Sequence, residues 1–279
     1  LNKEGKFYAL YINVEAAQAL RGNVEKGIPV ILQELATKVR EQLPTQKEFS
    51  EIFENVKKNV PAGSLLNTLF SQWCSQLDKP LILFIDEIDS LVGDTLISVL
   101  RQLRSGYTHR PQSFPQSACL IGVRDVRDYR IWSEELGSMV LGGSAFNIKA
   151  ESLRMSDFTV AQVKELYLQH TKETGQIFES DAIEYAFEQT QGQPWLVNAL
   201  AYQACFKDVT DRSKPITKEI MELARETLIL RRDTHLDVLV DRLAEPRVRN
   251  IVDAIITGID TSLDFSIDDI QYCLDLGLL

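Results

Sequence analysis

The chain has 279 residues, 44% of them hydrophobic, with 40 Asp and Glu against 30 Lys and Arg and a formal net charge of -10. That is enough apolar material for two compact domains and part of a third. The acidic balance repels phosphate backbones, which confines any nucleic-acid contact to a local patch. No apolar run approaches the ~20 residues of a membrane-spanning helix, and no signal-peptide pattern opens the chain. Cys74, Cys119, Cys205 and Cys273 stand in separate segments, as do His109, His170 and His235, at no metal-ligand spacing. The expectation is a soluble cytoplasmic protein with reduced core thiols and solvated imidazoles.

In chain order, Phe7 to Val14 is a β-rich apolar run, followed by a helix over about Val24 to Gln42 with Ile28, Ile31, Leu32, Leu35 and Val39 on one face. A Pro-Ala-Gly break at 61–63 leads to Ser64 as N-cap of a second amphipathic helix carrying Leu65, Leu66, Leu69, Phe70 and Trp73. Leu81 to Ile85 is apolar without alternation, the pattern of a central strand whose two faces are both covered. Leu96 to Leu103 reads as a helix, Ala118 to Val123 as a second buried strand, and Ala145 to Ile148 as a short closing strand. This order describes a doubly wound, mainly parallel α/β domain over 1–155.

Beyond it the spacing is helical throughout: about Thr159 to Thr174, Ser180 to Gln189, Pro194 to Phe206 and Thr217 to Arg231, with Ser180 and Thr217 as N-caps and Pro194 in a first turn. These form a small helical domain over 156–234. From 235 on, further helices precede Ser266 to Leu279, which has the cap, short helix and Gly turn of a helix-turn-helix and predicts part of a winged-helix domain over 235–279. The opening residue Leu1 and the stop at Leu279 are both expected to be cuts.

Three motifs carry chemistry. Leu81 to Glu87 delivers two adjacent carboxylates, Asp86 and Glu87, to the C-terminal end of a buried strand, where open α/β sheets bind ligands; Ile88-Asp89-Ser90-Leu91 continues it. Ala118 to Asp125 is a buried strand with Arg124 at its tip, a guanidinium whose fork of donors suits phosphate oxygens, or one that simply neutralises the carboxylates beside it. Gly192-Gln193-Pro194 opens a helix. It is equally a good loop-to-helix start on local grounds.

Together these resemble the AAA+ superfamily of P-loop ATPases, in particular bacterial AAA-like, STAND-related ATP-binding proteins. The resemblance implies a P-loop NTPase sheet, a helical lid and a winged helix. ATP and Mg2+ are the implied cofactors. Asp86 then holds Mg2+ through water, Glu87 polarises the attacking water, and Arg124 stands at the sensor 1 position. Gly192 and Pro194 match the G-x-P motif that reports nucleotide state to the lid, and Arg101, Arg104, Arg127 and Arg130 are candidate arginine fingers.

The departure is the Walker A loop. Gly5-Lys6-Phe7 holds the only Gly-Lys pair, and Phe7 cannot ligate a metal. The loop is expected upstream of Leu1, so that these 279 residues alone bind nucleotide weakly or not at all. Two alternatives stand beside the ATPase reading: a nucleotide-free scaffold, and a DNA-associated winged-helix regulator. The second is disfavoured because Asp268 to Leu276 carries three Asp and no Lys or Arg. The expected partners are nucleotide and a protein or second copy engaged through the lid and winged helix, with no membrane.

Overall fold

The computed structural model describes residues 1–123, 125–126, 129–147, 151–153, 155–231, 242–258 and 265–279. They group into two compact units, Leu1–Ser152 and Leu153–Leu279. The first is α/β. Its sheet has three parallel strands in the order β1 (Tyr8–Asn13), β2 (Leu81–Asp86), β3 (Ser117–Leu120), with Asn13 opposite Asp86 and Phe84 opposite Cys119.

Helix α1 (Val24–Gln42) starts where the Asn23 side chain accepts the Lys26 amide, and its face of Ile28, Ile31, Leu32, Leu35 and Val39 is buried. It lies so close to α4 (Gly93–Ser105) that a Cβ on Gly27 would sit 2.8 Å from Thr95 Cγ2. Helix α2 (Glu48–Asn59) buries Phe49, Ile52, Phe53 and Val56, with Phe49 edge-on to Trp73 of α3 (Leu65–Cys74) at 4.8 Å. Leu10, Ile12, Leu81, Leu83 and Ile85 from the sheet meet these helices in one core. Each such side chain contributes about 1.5–3 kcal/mol by leaving water.

Three expectations for the first unit need correcting. The expectation that both faces of β2 are covered holds for one face. Leu81, Leu83 and Ile85 are buried, whereas Ile82, Phe84 and Asp86 are half-exposed; because Ile82 and Phe84 are also apolar, the alternation is invisible in the residue pattern. Ser64 precedes α3 but makes no capping bond. The buried Gln102 of α4 does so, its Oε1 accepting the Leu66 and Asn67 amides at 2.8 and 3.3 Å while its Nε2 donates to Ala62 O.

The third concerns the strand placed at Ala145 to Ile148. Ala145 ends a short helix, α5 (Gly142–Ala145), and Ile148 lies outside the described residues. Instead, a two-stranded antiparallel hairpin, β4 (Arg130–Ser133) with β5 (Ser138–Leu141), precedes it. The hairpin is fastened to the start of α4 by Asp94, which accepts the Ser133 hydroxyl and the Glu134 and Glu135 amides.

The second unit is helical: α6 (Val160–Thr174), α7 (Ser180–Thr190), α8 (Pro194–Tyr202) running into a π-helical turn at Gln203–Asp208, and α9 (Lys218–Arg231). A capping box at Thr159 and Gln162 starts α6. Helix α7 is capped at Glu179 rather than Ser180, because the Glu179 amide pairs with Ile216 O beside the Phe178–Ile216 bridge and holds that residue extended. Buried Val163, Tyr167, Ala186, Val197, Leu200 and Met221 form the core. Helices α10 (Pro246–Thr257) and α11 (Ile267–Asp275) pack through Val248, Ile251, Tyr272 and Cys273. Ser266 caps α11, and the 259–264 link lies outside the described residues. Among the described residues no helix is long and apolar enough to cross a membrane.

Candidate functional site

The C-terminal ends of the three parallel strands converge on one acidic cluster. Asp86 is the last residue of the central strand, and the Val14 amide donates to its carbonyl at 3.1 Å while Ile121, just past β3, donates to Ile85 O at 2.8 Å. The chain then turns sharply. Glu87 takes the left-handed conformation, φ 56° and ψ 39°, and Ile88 N–H donates to Ile121 O at 3.0 Å, tying the turn to β3. For a side chain other than Gly, Asn or Asp this conformation is uncommon and costs energy. Its effect is to lift the Glu87 carboxylate off the strand axis into solvent, beside a half-buried Asp86.

Asp86 is held by two donors. The Tyr11 hydroxyl, from the middle of β1, donates to Oδ2 at 2.5 Å, and the Glu87 amide donates to Oδ1 at 3.0 Å. Each oxygen keeps a further lone pair. The bond to Asp86 pushes the Tyr11 phenol above its ordinary value, with burial and the Asp86 charge adding to it. The Glu87 carboxylate, unlike its backbone amide and carbonyl, makes no hydrogen bond among the described residues. Its carboxyl is held above the ordinary range, first by partial desolvation and then by the negative charges of Asp89, Asp86 and Glu15.

Asp89 completes the cluster from below. Its Oδ1 is buried and finds no hydrogen-bond partner among the described residues, and Ser90 Oγ is in the same position. Gly122 makes room for it, since a Cβ there would stand 2.6 Å from Asp89 Oδ1 and 3.0 Å from Ile88 Cγ2.

These are hard oxygen donors, open to solvent on one side, which is the ligand type that Mg2+ selects while keeping several of its waters. Among the described residues no group of three His, Cys, Asp or Glu side chains is arranged to hold a metal by itself. The donor set fits a hydrated cation held mainly by Asp86. No G-x-x-x-x-G-K-[ST] phosphate-binding loop occurs in these 279 residues.

Of the residues singled out from sequence, Asp86 and Glu87 are brought together, and Arg124 lies outside the described residues. Gly192 and Pro194 belong to the second unit. Gly192 has φ 81°, its carbonyl accepts the Phe158 amide at 2.8 Å, and a Cβ there would lie 1.9 Å from Phe158 O. Glycine is therefore required at 192 by the backbone crossing alone. Pro194 is exposed at the first turn of α8, where Gln193 Oε1 accepts the Leu196 amide at 2.6 Å. Among the arginine-finger candidates, Arg104 donates to Ser144 O, Arg101 is exposed on α4, Arg130 sits in β4, and Arg127 lies outside the described residues. Asp89 was read from sequence only as the continuation of the acid pair, and Tyr11, Asn13 and Gly122 were given no role; the 2.0-residue alternation of β1 marks Tyr11 and Asn13 as one face, but only the register sets them beside Asp86.

No family model matches the chain. No curated protein matches it either. Among solved structures it is similar to a RuvB mutant from Thermotoga maritima, at 19% identity and a TM-score of 0.41, covering 76% of this chain and 68% of that one. At that TM-score and identity the likeness carries neither fold nor function to this chain.

Proposed function

We propose that these residues form most of an ATP-binding module resembling the AAA+ superfamily and its STAND-related members, acting as an ATP·Mg2+-dependent switch. The observation that supports it most is the placement of Asp86 and Glu87. They lie at the C-terminal end of the central strand of a parallel sheet, with both neighbouring strands ending beside them. In this reading Asp86, oriented by the Tyr11 hydroxyl and the Glu87 amide, holds hydrated Mg2+, which supplies charge neutralisation for phosphate oxygens. Glu87 accepts a hydrogen bond from the attacking water, and its raised proton affinity makes it a better base than an ordinary surface carboxylate. Arg124 senses phosphate, and Gly192 and Pro194 couple nucleotide state to a helical lid over 156–234 and a winged helix over 235–279. The reading requires a phosphate-binding loop that none of these 279 residues supplies.

The test is ATP turnover by the protein expressed from its complete reading frame. Glu87→Gln is expected to abolish turnover while leaving nucleotide bound; retention of full turnover by that variant sinks the assignment. One observation favours the nucleotide-free scaffold instead, namely the Tyr11–Asp86 bond, which occupies the metal-binding acid with a protein donor. A complete protein that binds no nucleotide, with or without Tyr11→Phe, would establish that second reading.

A further inference from the structure

Among the described residues β1 is an edge strand, and nothing in its own sequence protects it. Tyr8–Asn13 reads YALYIN: β-prone, uncharged, without proline. Such a six-residue segment on an open edge is a template for pairing with an identical strand, and natural edges are normally blunted by a charge, a proline or a bulge. Its backbone groups divide into two sets. Tyr8 donates to Pro80 O and Val14 to Asp86 O, so the even-numbered residues face β2, and Ala9 and Tyr11 present their N–H and C=O groups outward.

Those outward groups are taken by two side-chain carboxamides. Asn2 receives the Ala9 amide on Oδ1 at 2.7 Å and returns its Nδ2–H to Ala9 O at 2.9 Å. Gln42, the last residue of α1, receives the Tyr11 amide on Oε1 at 2.9 Å and returns its Nε2–H to Tyr11 O at 2.8 Å. A primary amide offers one donor and one acceptor side by side, the same pair that a neighbouring strand offers at every second residue. Two carboxamides at positions i and i+2 therefore reproduce two rungs of a β-ladder without a strand.

We propose that Asn2 and Gln42 are an edge cap that keeps β1 from pairing with β1 of a second copy of this chain. The occupant excluded is a second copy because an isologous pairing brings two identical uncharged edges together, and no charge on either strand opposes it. The cap also reaches the acidic cluster: Gln42 fixes the backbone of the residue whose hydroxyl holds Asp86.

The test combines amide hydrogen exchange with mass measurement by light scattering on the 279-residue chain. Asn2 is exposed and Gln42 half-exposed, so their truncation leaves the core intact. In the unaltered chain the Ala9 and Tyr11 amides are protected. Gln42→Ala lowers protection at Tyr11, and Asn2→Ala at Ala9, by about tenfold, the scale of one net hydrogen bond, while Leu10 and Ile12 keep theirs. The Asn2→Ala/Gln42→Ala double variant gains mass with concentration toward a dimer. Gln42→Glu keeps an acceptor for the Tyr11 amide and adds a charge to the edge, so it retains the mass of the unaltered chain. Edge amides that exchange equally fast with and without the carboxamides overturn the proposal. So does a double variant whose mass never rises, or a Gln42→Glu variant that associates as strongly as the double variant.

Discussion

Replacing Glu87 by Gly and by Gln separates the backbone cost at the acidic turn from its charge. Both substitutions remove the carboxylate from the neighbourhood of Asp86, Asp89 and Glu15, so their difference isolates the conformation at φ 56°, ψ 39°. An L-residue in that region costs about 1–2 kcal/mol relative to its ordinary basins. Glycine avoids this but takes back about 0.4–1 kcal/mol through its freer unfolded chain. The Gly variant is therefore more stable than the Gln variant by on the order of 1 kcal/mol, a difference of about 2–4 °C in Tm for a unit of this size. Urea unfolding followed by the fluorescence of Trp73 and Trp132, with equal slopes for the two variants, measures it. A Gln variant as stable as the Gly variant would refute the strain argument. The charge has its own signature. Because the folded-state proton affinity of Glu87 is raised, its contribution to stability is fully present below the ordinary value of 4.5 and is lost as pH rises through the raised value. Glu87→Gln, which cannot ionise, accordingly gains on the unaltered chain between acid and neutral pH, and shows no such gain if neither partial burial nor the neighbouring carboxylates disfavour the ionised form.

Gln102→Leu strips the acceptor from the Leu66 amide and the donor from Ala62 O, both buried, and is expected to destabilise the first unit by about 2–4 kcal/mol; an effect below about 0.5 kcal/mol, read by urea unfolding, would mean that water replaces it. Gly192→Ala drives a Cβ into Phe158 O at a positive φ, so the helical unit loses about 3 kcal/mol or unfolds; unchanged thermal stability would show that glycine at 192 serves something other than this crossing. Tyr11→Phe removes from the alkaline ultraviolet titration a phenol that ionises above pH 10, and loss instead of an ordinary one would contradict the bond to Asp86.

Much of the fold was legible because long periodic segments dominate it: α1 and the apolar run of β2 leave little choice of structure. Helix α2 received no assignment from sequence, although Phe49, Ile52, Phe53 and Val56 stand at helical spacing. The hairpin of β4 and β5 left almost no signal, since four-residue strands hold too few alternations and the left-handed Gly137 that closes the turn has no sequence context to distinguish it. At the site, the position of Asp86 and Glu87 at the end of an apolar strand was legible, although a solvated Asp-Glu turn leaves the same pattern. Tyr11 was not, because it reaches Asp86 across 75 residues of chain through a strand register. The carboxamides of Asn2 and Gln42 escaped for the same reason: an amide side chain is a polar surface residue until the neighbouring backbone is known.

The central claim is that the acid pair at the end of β2 binds a hydrated divalent cation together with a nucleotide. The most direct measurement is paramagnetic line broadening by Mn2+ in the presence of ATP of the 15N-labelled protein expressed from its complete reading frame, since broadening registers weak and transient binding. The account predicts that the Asn13, Glu87, Ile88 and Gly122 amides broaden first, and that Asp86→Asn abolishes the effect. Broadening spread evenly over the acidic surface, or unchanged by Asp86→Asn, would contradict it.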